Sequence, residues 1–254
     1  MGNTTLGLDV SSHQDPSSVD WVAAARLGYR YAVIRLTNGV ELDERAREHA
    51  KRIRGAGLVL GAYAFWIPWR APERLVSAFT AAAELCQYGH PGDLIPWLDV
   101  ESWQGASGYH RAAPDWSEPA EQTIELLSQS FGGCALYCNV SDWAAMGSPT
   151  WIGRYPIAAA HYTDKPDPLV AGHLRWTFWQ HRVAPILGVS ERPIDQSLCQ
   201  LPLPTIQQTD SDEPRDPDPQ RVDVGWIPVE FDRDEHSRLR NRAVARDTDR
   251  GRYG

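Results

Sequence analysis

The sequence predicts an α/β fold closed into a TIM-like barrel. Three observations carry that reading. Apolar runs of strand length alternate with helical segments four times over, and the later chain then adds strands with little helix between them. The strand candidates number eight, which favours a closed barrel over an open sheet. Acidic and polar residues collect where these strands end, the place where such barrels keep their active sites.

Leu6 to Val10 reads as a short buried strand that delivers Asp9, then Ser11, Ser12 and His13. Val19 to Gly28 reads as a helix with Trp21, Val22, Ala25 and Leu27 as apolar positions and Gly28 as its stop. Tyr31 to Leu36 is nearly continuous in apolar residues, as a strand covered on both faces should be. Glu41 to Ala56 is charged and helical, closed by Gly55 and Gly57. Leu58 to Trp66 is again a strand, with Tyr63 and Phe65 sharing one face. Ala71 to Tyr88 reads as the longest helix, with Pro72 in its first turn, where a missing N–H does no harm. The strand Ile95 to Glu101 follows, and Ser102 to Trp116 is a loop long enough to wall a site. Ser117 is expected to cap a helix through Ser130. After it come a strand at Ala135 to Cys138, a helical turn at Ser141 to Met146, and short strands at Ile157 to His161, Trp176 to Trp179 and Ile194 to Leu198.

From about Pro202 the character changes. Thr209 to Asp223 is polar and Pro-rich, and only the island Val222 to Phe231, with Trp226, is apolar. Residues 1–203 are therefore expected to form the barrel, and 204–254 a linker and partly disordered, charged tail.

Composition narrows the function. With 42% hydrophobic residues the chain buries a substantial core, and its net charge of −8 leaves no basic stripe for nucleic acid. Eleven Trp residues offer flat faces that suit sugar rings, although most Trp simply fill cores. Cys86, Cys134, Cys138 and Cys199 show no C-x-x-C spacing, which argues against zinc; two disulfides are possible, and buried thiols in a reduced compartment are the preferred reading. No H-E-x-x-H pattern occurs, and neither metal nor cofactor is expected. No apolar run spans a membrane, so no membrane insertion is expected. The N-terminus lacks the regions of a secretory signal, and Leu6 breaks a myristoylation pattern, so synthesis in the cytoplasm is the expectation. A monomer is expected.

The stretch Ile-Pro-Trp-Leu-Asp-Val-Glu at 95–101 carries the chemistry. An apolar strand surfaces in two carboxyls, Asp99 and Glu101, on one face with Cα atoms roughly 6.6 Å apart. Like charges that close make ionisation of both costly, so one stays protonated near neutral pH. A carboxyl that donates a proton to a leaving oxygen is what splitting a glycosidic bond requires. A lone Asp-x-Glu is more often a solvated strand end. Asp9, Tyr137, the Trp179-Gln180-His181 run and Asp195, all at or in strand ends facing the same barrel mouth, overturn that bland reading.

Several blocks resemble glycoside hydrolase family 25, the Chalaropsis-type lysozymes. They are Gly7-Leu8-Asp9-Val10-Ser11-Ser12-His13-Gln14, Val19-Asp20-Trp21, Tyr31-Ala32-Val33-Ile34-Arg35, and Gly61-Ala62-Tyr63-Ala64-Phe65-Trp66. Trp97-Leu98-Asp99-Val100-Glu101, Leu136-Tyr137-Cys138-Asn139, Ala160-His161-Tyr162, Trp179-Gln180 and Asp195 continue the match in order over about residues 6–200. The resemblance implies five β/α units completed by three further strands. It also implies an N-acetylmuramidase cutting the β-1,4 link from N-acetylmuramic acid to N-acetylglucosamine in peptidoglycan strands, its partner substrate. By position, Glu101 matches the general acid and Asp99 the carboxylate that steadies the substrate's acetamido group or a glycosyl cation. Asp9 and Asp195 match further acids of the groove. Tyr63, Tyr137 and Trp179 match sugar-holding positions, and Phe65, Gln180 and His181 beside them are further substrate-binding candidates. Glu101 is expected to be raised by Asp99 and partial burial, with Asp99 ionised.

Two positions depart from the family pattern: His181, where Tyr is common, and Gln196-Ser197 after Asp195, where Asn is commoner two residues on. His13, His110 and His173 read as surface or loop residues. Without a signal, such an enzyme would meet the wall after release from its cell, as a phage endolysin does through a holin-type route or by lysis. Two rivals stay open: a wall-binding barrel with catalysis impaired, and a barrel hydrolase on another N-acetylated polysaccharide.

Overall fold

β1 (Thr4–Val10) and β2 (Tyr29–Asn38) are buried along most of their length and run parallel, Asp9 opposite Val33. The computed structural model describes residues 4–105, 108–162 and 176–207. The Pro-rich stretch from Thr209, the Val222–Phe231 island with Trp226, and His173 lie outside the described residues. Parallel pairing continues through β3 (Val59–Phe65), β4 (Trp97–Asp99), β5 (Ala135–Cys138), β6 (Ile157–Ala160) and β7 (Phe178–Ile186). β8 (Ser190–Gln200) runs antiparallel to both β7 and β1, and so closes the barrel, with Asp195 opposite Asp9.

Each of the first five strands returns through a helix: α1 (Trp21–Arg26), α2 (Ala46–Gly55), α3 (Pro72–Leu85), α4 (Ser117–Phe131) and α5 (Val140–Ala145). Local chemistry sets their ends. The Asp20 carboxylate accepts the Ala23 N–H at 2.8 Å to cap α1, and Asn139 accepts the Asp142 N–H at 2.9 Å to cap α5. Pro72 opens α3, and Gly132, with φ at 72°, ends α4 in the left-handed conformation that glycine adopts without penalty. The architecture is therefore five β/α units followed by three strands.

The barrel interior is filled by rings. Phe178 packs against Tyr31 and Trp97, with centroids 5.9 and 4.7 Å apart. The Tyr31 ring lies directly over Gly7, where a Cβ would fall 2.0 Å from its Cζ, so only glycine fits. Between the helices and sheet, Phe79 meets Phe131 edge-on at 5.4 Å.

Several elements differ from the sequence-based expectation. Glu41–Leu42 adds a two-residue strand to β2, and α2 begins only at Ala46, because the buried Asp43 carboxylate engages the N–H groups of Arg45 and Ser12. α4, at 15 residues, is longer than α3, at 14. Ser117 is already helical and caps nothing; its Oγ accepts the Trp151 indole N–H at 3.0 Å. The 102–116 loop contains a hairpin, Trp103–Gly105 against Gly108–His110. β7 and β8 form one long hairpin around Gly188 (φ 78°) where two short strands are expected. All four cysteines are free and buried.

The chain stays on the barrel past Leu203. Ile95 N–H donates to the Pro204 carbonyl at 3.0 Å, Ile206 exchanges backbone hydrogen bonds with Gly92 and Asp93, and its side chain is buried. Among the described residues no helix is long and apolar enough to cross a membrane, and no group of three or more His, Cys, Asp and Glu is placed to hold a metal.

Candidate active site

A cavity of about 630 Å³ opens at the C-terminal ends of the parallel strands. Asp9, Asp99, Glu101 and Asp195 all line it, brought there by the ends of β1 and β4 and by the middle of β8. The carboxyl pair sits at the end of β4. Ladder pairing stops at Asp99, but the Val100 N–H still donates to the Tyr137 carbonyl at 3.0 Å, and Val100 is fully buried, so Asp99 and Glu101 flank it on the cavity side.

Asp9 is fixed by a chain of hydrogen bonds. Gln180 Nε2 donates to Asp9 Oδ1 at 2.6 Å and the Ser197 hydroxyl to Oδ2 at 3.2 Å. Gln180 Oε1 in turn accepts the phenol hydroxyls of Tyr137 at 2.7 Å and Tyr162 at 2.6 Å. Two tyrosines, an amide and an acid are thus locked into one network across β1, β5, β7 and the chain after β6.

Four acids around one cavity do not ionise independently. Burial, with the charge of Asp195 adding to it, pushes the Asp9 carboxyl up to about 8 against the hydrogen bonds from Gln180 and Ser197. Burial raises Asp195 to about 6. Burial, then Asp142 and Asp195, raises Glu101 to about 7. Asp99 is more deeply buried, one of its oxygens has no hydrogen-bond partner among the described residues, and burial together with Glu101 holds it well above the ordinary carboxylate range. The expectation that Asp99 stays ionised while Glu101 alone is raised is therefore corrected: both members of the pair are raised.

Arg35 is the cation that opposes this. It lines the cavity and lowers Asp99, while its Nε binds the buried Asp43 at 2.8 Å and its Nη2 donates to Ser12 Oγ at 2.5 Å. Asp142, on α5, is the other group that sequence reasoning missed. Its carboxylate accepts the Ser102 N–H at 2.9 Å, the Ser102 hydroxyl at 2.6 Å and Asn139 Nδ2 at 2.6 Å, tying down the residue next to Glu101.

Aromatic walls complete the site. Tyr63, Phe65, Trp97 and Tyr137 line the cavity, Trp97 stacked on Tyr137 with 9° between the ring planes, and Trp103 adds a wall from the hairpin. Of the sugar-holding candidates, Tyr63, Phe65, Tyr137 and Gln180 reach the cavity. Trp179 and His181 do not. They share the opposite face of β7 from Gln180, their rings 5.4 Å apart, with the Trp179 indole N–H donated to the His161 carbonyl at 2.7 Å. Alternation turns Trp179 away from the Gln180 face, and at the register shift between Gln180 and Arg182 the His181 ring lies with Trp179.

Comparison with known proteins gives the family and the fold. Residues 8–187 match the family model described as Glycosyl hydrolases family 25. A bacterial lysozyme from Streptomyces coelicolor is 24% identical, covering 76% of this chain and 90% of its own, with a TM-score of 0.64. A family GH25 lysozyme from Aspergillus fumigatus is 21% identical over 79% of this chain and 96% of its own, with a TM-score of 0.66. The catalytic domain of an endolysin from a bacteriophage of Listeria monocytogenes is 20% identical over 78% of this chain and 93% of its own, with a TM-score of 0.59. At these identities the likeness to each structure is one of fold. A comparison with curated proteins finds no match.

Proposed function

The chain belongs to glycosyl hydrolase family 25, and from that premise we propose that it is an N-acetylmuramidase, hydrolysing the β-1,4 bond between N-acetylmuramic acid and N-acetylglucosamine in peptidoglycan. The observation that carries the proposal is the pair Asp99 and Glu101, side by side at one wall of an aromatic-lined cavity and both raised by burial.

With both carboxyls raised, the resting pair holds protons on each; the active form arises when Asp99 gives its proton up, which the Arg35 charge favours, while Glu101 keeps its own. Glu101 gives its proton to the glycosidic oxygen as the C–O bond breaks. Asp99, on the same strand, does not reach the opposite face of the sugar, so the nucleophile is the substrate's own 2-acetamido oxygen. Its attack closes a cyclic intermediate whose positive charge the Asp99 carboxylate stabilises. Glu101, now ionised, takes a proton from the water that opens this ring, and both carboxyls return to their starting state. Asp9 and Asp195 hold the far wall, Asp9 through the Gln180 network.

The likeness in fold to an endolysin catalytic domain supports an enzyme that acts on the cell wall. Mass spectrometry of digested peptidoglycan tests the bond assignment: new reducing ends on N-acetylmuramic acid support it, and new reducing ends on N-acetylglucosamine contradict it.

A further inference from the structure

A second cavity, of about 440 Å³, lies beside the first, lined among others by Trp69, Tyr109, His110, Arg111, Asp115 and Trp116. The hairpin after β4 forms the partition. Trp103 and Gln104 line the catalytic cavity, while Tyr109 and His110, paired with them in reverse order, line the second, and the Trp103 and His110 rings stack with centroids 4.7 Å apart.

Large aromatic side chains are left in water here. Trp69 is 59% exposed and Tyr109 is 64% exposed, although each would be more stable buried. One side of the Trp69 ring is supported, its centroid 5.6 Å from Trp103 and 5.0 Å from His110. Trp103 in turn meets Phe65 edge-on at 5.5 Å, inside the catalytic cavity. A run of rings therefore leads from the proposed bond-cutting site to the exposed platform. The platform is held in place: Ser102 Oγ accepts the Ala112 N–H at 2.8 Å and clamps the two ends of the hairpin loop. A site already in shape loses little ordering entropy on binding.

We propose that this second cavity is a distal saccharide subsite, where Trp69 and Tyr109 take the flat face of a pyranose in the peptidoglycan glycan strand that continues out of the catalytic cavity; the proposal deepens the muramidase reading and rests on it. A pyranose presents an apolar C–H face and a rim of hydroxyl and acetamido groups. The exposed rings match the face. Arg111 supplies donors and Asp115 acceptors for the rim. One cation and one anion balance, which fits an uncharged N-acetylglucosamine unit of the strand better than a polyanion such as a teichoic acid.

The test reads binding without turnover, on the full chain carrying Glu101→Gln. Peptide-free peptidoglycan glycan fragments of four and eight sugars are titrated by calorimetry. The longer fragment should bind about tenfold tighter than the shorter, and adding Trp69→Ala with Tyr109→Ala should bring that ratio near one. Trp69→Phe, which keeps a flat ring, should retain most of it, separating loss of the platform from loss of fold. A ratio unchanged by the double substitution, equal loss for both fragments, no binding of either fragment, or Trp69-dependent binding of teichoic acid in place of glycan would each overturn the subsite. Length-dependent, Trp69-dependent binding of strands that the unsubstituted enzyme leaves uncut would instead overturn the muramidase reading and leave the subsite standing.

Discussion

The Asp142 carboxylate accepts both the backbone N–H and the hydroxyl of Ser102, at 2.9 and 2.6 Å, and Ser102 directly follows Glu101. One side chain on α5 thereby positions the proposed acid and places a second negative charge near it. Asp142→Asn keeps the shape and removes the charge. A nearby anion raises a carboxyl, so its loss favours the Glu101 anion, and the alkaline limb of kcat/KM, set by a group near 7, should move to lower pH. An alkaline limb that does not move would mean Asp142 is only a structural clamp.

Asp9 should make the fold less stable as pH rises. Its carboxyl is at about 8 in the folded protein, against roughly 3.9 in an unfolded chain. The folded state therefore binds the proton more tightly, and this contribution to stability is complete below the unfolded value and lost as pH rises through about 8. Asp9→Asn, which does not titrate, should flatten the decline in melting temperature between pH 5 and 9. At pH 9 it should melt higher than the unsubstituted protein by a few degrees or more. Parallel curves would contradict the burial account.

Gly7→Ala tests the barrel interior. The new Cβ would meet the Tyr31 ring at 2.0 Å, and that ring is fully buried with its hydroxyl donated to Ser197 at 3.1 Å. Overpacking of this kind costs on the order of 1–3 kcal/mol, and more where the neighbour has no room. Thermal unfolding should show a drop of several degrees, and an unchanged midpoint would mean that the interior gives way easily.

The chain end divides two truncations. Removing everything after Gln208 should leave folding and activity on soluble fragments largely intact. Removing everything after Leu203 deletes the buried Ile206 and its bonds with Gly92 and Asp93, a loss of roughly 2–3 kcal/mol from the side chain alone. Equal stability of the two forms would place the boundary at Leu203.

The legible and illegible parts of this molecule divide along physical lines. Strand ends were readable because apolar runs stop at polar residues, and that brings Asp9, Asp99 and Glu101 to one cavity, which Asp195 joins from the middle of β8. The length of the β7–β8 hairpin was not. Its outer half alternates exposed and half-buried residues, such as Arg182 and Ala184, without an apolar run. Trp179 and His181 were assigned to the cavity beside Gln180 although period-two alternation already separates them. Asp142 gave no local sign, since a helix residue 41 positions after Glu101 becomes its neighbour only when β5 is laid beside β4. Arg35 was visible as a charge in an apolar strand, which is the signal that a pairing partner waits inside.

The most direct test of the proposed chemistry separates Glu101 from Asp99. On peptidoglycan, Glu101→Gln should lose roughly 10² to 10⁴-fold in activity with binding kept, and Asp99→Asn should also be crippled. On an aryl glycoside whose leaving group is already acidic, little protonation is needed. There Glu101→Gln should recover much of its rate in the bond-breaking step, and Asp99→Asn, lacking the charge that stabilises the intermediate, should not. Equal recovery by both variants, or recovery by Asp99→Asn alone, would contradict the assignment of Glu101 as the acid.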